Sequence, residues 1–254
     1  MALLEVKAVS KRFGGVQALK RMTLTVERGQ IVGLIGPNGA GKTSFFNCIT
    51  GLLKIDDGEV LFDDGTQPLQ GLVSHQILEK GVARTFQNLR IFRNMTALEN
   101  VAVGMHARTR SGLWDAFAHT RRFREEEKHI LQKSLELLRF IGLERHANET
   151  AGNLAYGNQK RLEIARAMAS DPKLLLLDEP VAGMNPVEKE ELSKLVRRIR
   201  ERGVAILLIE HDMKVVMPLS EKVVVMDEGE KIAEGPPEKI KNDARVIRAY
   251  LGEA

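Results

Sequence analysis

The stretch Gly36-Pro-Asn38-Gly39-Ala40-Gly41-Lys42-Thr43-Ser44 fits G-x-x-x-x-G-K-[ST]. An apolar run at 30–35 precedes it and an apolar-periodic segment at 45–53 follows, so the expected setting is strand, glycine-rich loop, helix. Glycines let such a loop turn its amides inward at φ > 0. The helix that follows adds unpaired amides and the positive end of its dipole, which favours an anion there. Lys42 would reach β- and γ-phosphates, and the Thr43 hydroxyl would hold Mg²⁺.

A second constellation sits at Leu174-Leu-Leu-Leu-Asp178-Glu179. Four leucines predict a strand buried on both faces, as in a parallel sheet. Ligands of open α/β sheets collect at the carboxyl ends of such strands. One acid there can hold Mg²⁺ through oxygen or water, and its neighbour can take a proton from attacking water. Residues 204–209 predict another doubly buried strand, ending in Glu210-His211-Asp212. His211 reads either as a structural histidine or as a phosphate contact. Gln87 follows an expected strand at 82–86 and is either a ligand-facing or a solvated amide. Residues 153–159 place a glycine and small polar groups before an expected helix at 160–170: a second anion cap, or a plain helix start. Phe13, beside Lys11 and Arg12 on a Gly-Gly turn, could stack on a flat base or cover a core edge.

These groups need a scaffold. Alternation at 3–9, with Leu4, Val6 and Ala8 on one face, predicts a strand; 16–26 and 58–62 add two more. Together they predict an antiparallel subdomain against the nucleotide core. Residues 74–80 predict a short helix. Thr96 to Glu99 is a capping box opening a helix to about Arg108. The pattern breaks over 109–120, which holds Ser111-Gly112 and Trp114. A long helix at 120–141 then carries Ile130, Leu131, Leu135, Leu137, Leu138 and Ile141 on one period. Its charged start, Arg121, Arg122, Arg124 and residues 125–128, reads as a solvated face or as a docking face for a membrane-embedded partner. Residues 88–166 are thus expected to form a helical insertion. Asn185, Pro186 and Glu188 cap a further helix. Strands at 222–226 and 231–235 and a helix at 245–251 close the chain.

Composition narrows the classes. The 254 residues suffice for one or two domains with a sizeable core. A net charge of +4 with its cations dispersed among anions argues against a nucleic-acid partner. The single cysteine, Cys48, excludes an internal disulfide framework and reads as a buried filler. No apolar run approaches the roughly 18–20 residues of a membrane span, and the first residues lack a signal-peptide layout. The chain is expected in the cytoplasm, with any membrane spans supplied by other chains.

In combination and order, these motifs resemble the ATP-binding subunit of ABC transporters over essentially the whole chain. Asn153-Leu-Ala-Tyr-Gly, Leu162-Glu-Ile-Ala-Arg, Ile209-Glu-His-Asp-Met and the ending Val246-Ile-Arg-Ala-Tyr-Leu-Gly-Glu-Ala resemble the LivG type of branched-chain amino acid importers. The resemblance implies a single ATP-binding domain over 1–254. Within it, a P-loop NTPase core of RecA-like α/β type, with its β subdomain, would take 1–87 and 167–254. A helical signature subdomain would take 88–166. It implies that ATP and Mg²⁺ are cofactors, with Phe13 on adenine and Val16 nearby. The phosphates would lie in Gly36 and 38–44. Thr43, Gln87 and Asp178 would serve the metal, Asp178 through water. Glu179 would polarise the attacking water, and His211 would contact the γ-phosphate. Ala155, Tyr156, Gly157 and Asn158 correspond to a signature usually reading Leu-Ser-Gly-Gly-Gln, which completes the site of a second subunit in a head-to-tail dimer. Here Ala155 replaces the serine, Tyr156 the first glycine and Asn158 the glutamine; Gln159 follows one place late. Losing the serine hydroxyl implies a site that closes less firmly on ATP. Asn185 stands where the family often has Asp.

Expected partners are a second such subunit, identical or LivF-type, two transmembrane permease subunits and, indirectly, a periplasmic solute-binding protein. The expected place is the cytoplasmic face of the inner membrane. Urea or amide import, lipopolysaccharide export and a non-catalytic nucleotide sensor are the alternatives.

Overall fold

The N-terminal residues form a long hairpin in which β1 (Ala2–Phe13) pairs antiparallel with β2 (Val16–Glu27). It runs beyond the expected strand ends, leaving only Gly14-Gly15 as the turn. The simple alternation in β1 also fails: Ala8 has φ 50°, the register shifts there, and Val9 rather than Ala8 enters the core. A bulge changes which face each later side chain occupies. The computed structural model describes residues 1–105 and 121–251. Among these, residues 1–84 and those from 173 onward pack together as one compact unit, and residues 85–172 form a second. The expected helix end near Arg108, the break at 109–120 with Trp114, and the side chains of Arg121 and Arg122 lie outside the described residues.

In the first unit the chain continues through β3 (Ile31–Ile35), α1 (Lys42–Ile49), β4 (Asp57–Phe62), β5 (Gln67–Pro68), α2 (Ser74–Glu79) and β6 (Val82–Arg84). The second unit holds α3 (Ala97–Met105), α4 (Arg121–Phe140) and α5 (Tyr156–Met168). The first unit then resumes with β7 (Leu174–Asp178), α6 (Pro186–Glu201), β8 (Ala205–Ile209), α7 (Met213–Leu219), β9 (Lys222–Asp227), β10 (Glu230–Gly235), α8 (Pro237–Lys241) and α9 (Ala244–Leu251). Among the described residues no helix is long and apolar enough to cross a membrane.

Two sheets result. Strands β2-β1-β4-β5 form the antiparallel sheet, and β10-β9-β3-β8-β7-β6 the larger one, parallel except for the β9–β10 hairpin. This is the P-loop NTPase arrangement with an added β subdomain. Strands β3, β7 and β8 are buried along their whole length, which the doubly apolar runs dictate. Phe45 and Phe46 of α1 and Phe62 of β4 join the same core. Cys48 is buried there as well, and burial pushes its thiol up to about 11, so it is an inert filler.

Register decides where the chemistry can sit. Leu34 lies opposite Ile209, and Ile209 opposite Asp178. The three strands therefore finish level, and the chain leaves each at one carboxyl edge.

In the second unit Ile130, Leu138 and Ile141 are buried, whereas Leu131 and Leu135 of the same stripe point outward. The charged residues Arg124, Glu125, Glu127 and Lys128 are exposed. Gly104 sits where α3 meets α5, and a Cβ there would lie 2.2 Å from the Arg166 carbonyl oxygen. Gly104→Ala must push the helices apart. It is expected to destabilise the fold by about 1–3 kcal/mol, read as a lower urea midpoint, and an unchanged midpoint would contradict this packing.

Candidate active site

The phosphate loop leaves β3 at Gly36 and enters α1 at Lys42. Gly36, Gly39 and Gly41 have φ of 153°, 84° and 95°, so the local fold requires the motif glycines. Gly36 has no room for a side chain, since a Cβ would fall 2.0 Å from the Met226 carbonyl oxygen. No side chain caps α1, and its first turn carries no acid. Its leading amides are thus left for an anion. Asn38, Gly39 and Thr43 are exposed, Ser44 is half-buried and Ala40 is buried. The Lys42 ammonium donates to the carbonyls of Gly36 at 2.7 Å and Pro37 at 2.8 Å. Burial pulls its pKa down, while the charges of Glu179 and Asp178 oppose that shift. This cradle of amides around a partly desolvated cation suits a polyphosphate.

Asp178 and Glu179 follow at the level edge. Glu179 takes φ 46°, a left-handed conformation rare outside glycine, and its amide donates to the Ile209 carbonyl at 2.9 Å. His211 lies one strand over, with Nδ1 3.8 Å from Glu179 Oε2. The sheet therefore brings Gly36 to Ser44, Asp178, Glu179 and His211 to one rim of the first unit. Phe13 and Val16 are direct cross-strand partners at the hairpin tip, both exposed, with Lys11 Nζ 5.6 Å from the Phe13 ring centre.

Two residues that local pattern reading passed over organise this rim. Arg84, the last residue of β6, donates to Asp178 Oδ2 at 2.7 Å. Its other amine reaches Asn47 Oδ1 at 2.7 Å and Thr50 Oγ1 at 3.2 Å, both in or beside α1. The guanidinium thus ties the acid of β7 to the helix of the phosphate loop. Glu210 is fully buried and accepts amides from both catalytic turns: Val181 at 3.0 Å and His211 at 3.1 Å. Burial raises its pKa, and those amides counter the shift.

A family model described as ABC transporter matches residues 19–182, which carry the phosphate loop, Gln87 and both acids. The chain belongs to the ABC transporter ATP-binding proteins. In this cassette a second model, described as branched-chain amino acid ATP-binding cassette transporter, matches residues 230–254. The cassette is 48% identical over 253 residues to the high-affinity branched-chain amino acid transport ATP-binding protein LivG of Escherichia coli, covering 99% of this chain and 98% of the relative. It is 46% identical to the corresponding protein BraF of Pseudomonas aeruginosa at the same coverage. Among solved structures it resembles a nucleotide-free ATP-binding cassette from an ABC transporter, with TM-score 0.86, 33% identity and full coverage of both chains. A dimeric cassette in a post-hydrolysis state with ADP and Pi matches at TM-score 0.77 and 27% identity, over 92% of this chain and 98% of that one. The cassette is an ATPase of the LivG type.

The signature and Gln87 belong to the cassette's second unit. Helix α5 begins at Tyr156, four residues earlier than the pattern at 160 suggested, so Tyr156, Gly157 and Asn158 form its first turn. Ala155 is the N-cap and supplies no side-chain cap. Gln159 is buried and turned back, donating to the carbonyls of Leu154 at 2.8 Å and Gly152 at 3.3 Å. Gln87 is exposed, and its segment is fastened to α5: Lys160 Nζ donates to the Gln87 carbonyl at 3.0 Å, and Glu163 accepts the amides of Phe86 and Arg90. Burial raises the Glu163 pKa against those bonds. Asn185 serves as N-cap of α6, accepting from the Glu188 amide at 3.0 Å while Glu188 accepts in return.

Arg84→Ala strands a buried carboxylate. It is expected to cost about 3–5 kcal/mol of stability and to lower ATPase turnover. Urea unfolding and a phosphate-release assay check both, and a variant as stable and active as the parent would contradict this role.

Proposed function

We propose that the cassette drives an importer of branched-chain or other hydrophobic amino acids, pairing head to tail with a second cassette so that ATP is held between them. The observation that carries this reading is the level rim. It sets a phosphate cradle, an acid pair and a histidine on adjacent strands of a chain whose full-length relatives are named for branched-chain amino acid transport. The second cassette is another copy or a LivF-type relative. The working position is peripheral, on the cytoplasmic face of the cell membrane. Two permease subunits are the direct partners there, and a periplasmic solute-binding protein is the indirect one.

Within the rim, the amides of 38–44 and the Lys42 ammonium bind the triphosphate. Phe13 stacks on adenine with Val16 beside it. Thr43 and Asp178 of this rim serve Mg²⁺, and Gln87 of the second unit is the further ligand expected from the family pattern. Among the described residues no three His, Cys, Asp or Glu side chains converge as a metal cage. This donor set suits a cation shared with phosphate oxygens, the usual mode for Mg²⁺. Bound Mg²⁺ would neutralise charge on the phosphates. Glu179 orients water for in-line attack, and His211 contacts the γ-phosphate. Ala155, Tyr156, Gly157 and Asn158 would close on the partner's nucleotide through backbone amides and the α5 dipole alone, since Ala155 has no hydroxyl. Exposed Leu131 and Leu135 and the charged start of α4 offer the helical unit an amphipathic face toward the permeases.

Glu179→Gln in the cassette assembled with its permeases is expected to keep ATP affinity within about threefold and to cut turnover roughly 10²–10⁴-fold. Unchanged solute-stimulated turnover would contradict the assignment.

A further inference from the structure

We propose that Glu210 is a positioning residue for hydrolysis: its buried carboxylate locks the turn of Glu179 to the turn of His211, so that acid and histidine work as one unit. The inference rests on reading Glu179 and His211 as the pair that acts on the γ-phosphate. Nδ1 of His211 is 3.8 Å from Glu179 Oε2, beyond hydrogen-bond length, so that contact alone does not fix the pair. The spacing is set behind the two side chains instead. Glu210 Oε1 accepts the Val181 amide at 3.0 Å, in the turn that leaves Glu179. Glu210 Oε2 accepts the His211 amide at 3.1 Å and the Asp212 amide at 3.5 Å. One carboxylate thus spans the exits of β7 and β8.

Two features separate this arrangement from ordinary packing. Glu210 is fully buried, and among the described residues no lysine or arginine pairs with it. A buried carboxylate held by amides contributes little net stability, and an apolar side chain would fill the same space without a charge to desolvate. What the carboxylate adds is acceptor capacity, since both its oxygens take donors and it presents none of its own. The second feature is strain. Glu179 has φ 46°, and such a backbone persists only where its surroundings hold it. The hold comes from two successive residues at the end of β8. The Ile209 carbonyl takes the Glu179 amide at 2.9 Å, and Glu210 takes the Val181 amide two residues on. The His211 side chain is 62% exposed, so its place is set from the backbone, where Glu210 holds it. A change at Glu210 therefore shifts acid and histidine relative to each other. Its partners lie outside residues 36–44, so the phosphate cradle stays in place, and the loss falls on kcat and not on binding.

The test measures ATPase kinetics of the cassette assembled with its permeases, with titration of a fluorescent ATP analogue beside it. Glu210→Gln keeps the shape but replaces one acceptor oxygen by an amide N–H₂, facing backbone amides that need an acceptor. It is expected to lower kcat about ten- to a hundredfold, the scale of an ångström misplacement, with KM and analogue affinity within about threefold of the parent. Combined with His211→Ala, its loss should fall well short of the product of the two single losses, because both act on one unit. Parental kcat in Glu210→Gln, a loss carried by KM alone, or fully multiplying losses would overturn the proposal. Glu210→Asp draws both oxygens back by one methylene and carries the same cycle, with the same expected outcome, where the glutamine variant does not fold. His211→Ala tests the underlying reading separately: parental turnover in that variant would remove the histidine from the chemistry, and the inference with it.

Discussion

A positive charge confined within a loop of carbonyls is the constraint on which the rest of this structure turns. The Lys42 ammonium has left bulk water for the oxygens of Gly36 and Pro37, and its lowered pKa records the cost of that burial. Backbone carbonyls solvate a cation only partly. An anion with several oxygens would relieve the lysine and satisfy the open amides of α1 at once. The acids at 178 and 179 act on Lys42 from a distance, which offsets part of the cost without filling the cradle.

Holding that arrangement takes more than the loop. The register of β3, β8 and β7 brings three chain exits level, and each exit is then fixed by a group from elsewhere. Arg84 fastens Asp178 to α1, and Glu210 gathers the amides after Glu179 and before Asp212. Lys160 and Glu163 fasten the Gln87 segment to α5 within the second unit. In each case a buried charge meets backbone donors or an opposite charge, so its energy goes into fixing geometry and much less into net stability. The left-handed backbone at Glu179 is the strain that such fastening sustains.

The parts legible in the sequence were those encoded within a few residues. Glycines at fixed spacing, a doubly apolar run ending in two acids, and an Asn-Pro-x-Glu cap each carry their reason locally, and the structure uses each as its local chemistry suggests. What escaped depends on distant partners. Arg84 and Asp178 are 94 positions apart, and neither neighbourhood marks them as a pair. Glu210 looked like one polar residue among three at a strand end, because its burial is set by the turns around it. The bulge at Ala8 and the early start of α5 escaped for a related reason: tertiary packing overrode a clean alternation in one case and a polar opening in the other.

The cradle therefore requires the Lys42 ammonium to change partners when nucleotide arrives. A crystal structure of the Glu179→Gln cassette with ATP and Mg²⁺ tests this directly. The expected result is Lys42 Nζ withdrawn from the carbonyls of Gly36 and Pro37 and within hydrogen-bonding distance of β- and γ-phosphate oxygens. Nucleotide bound with Lys42 still on those carbonyls, or bound away from the loop, would contradict it.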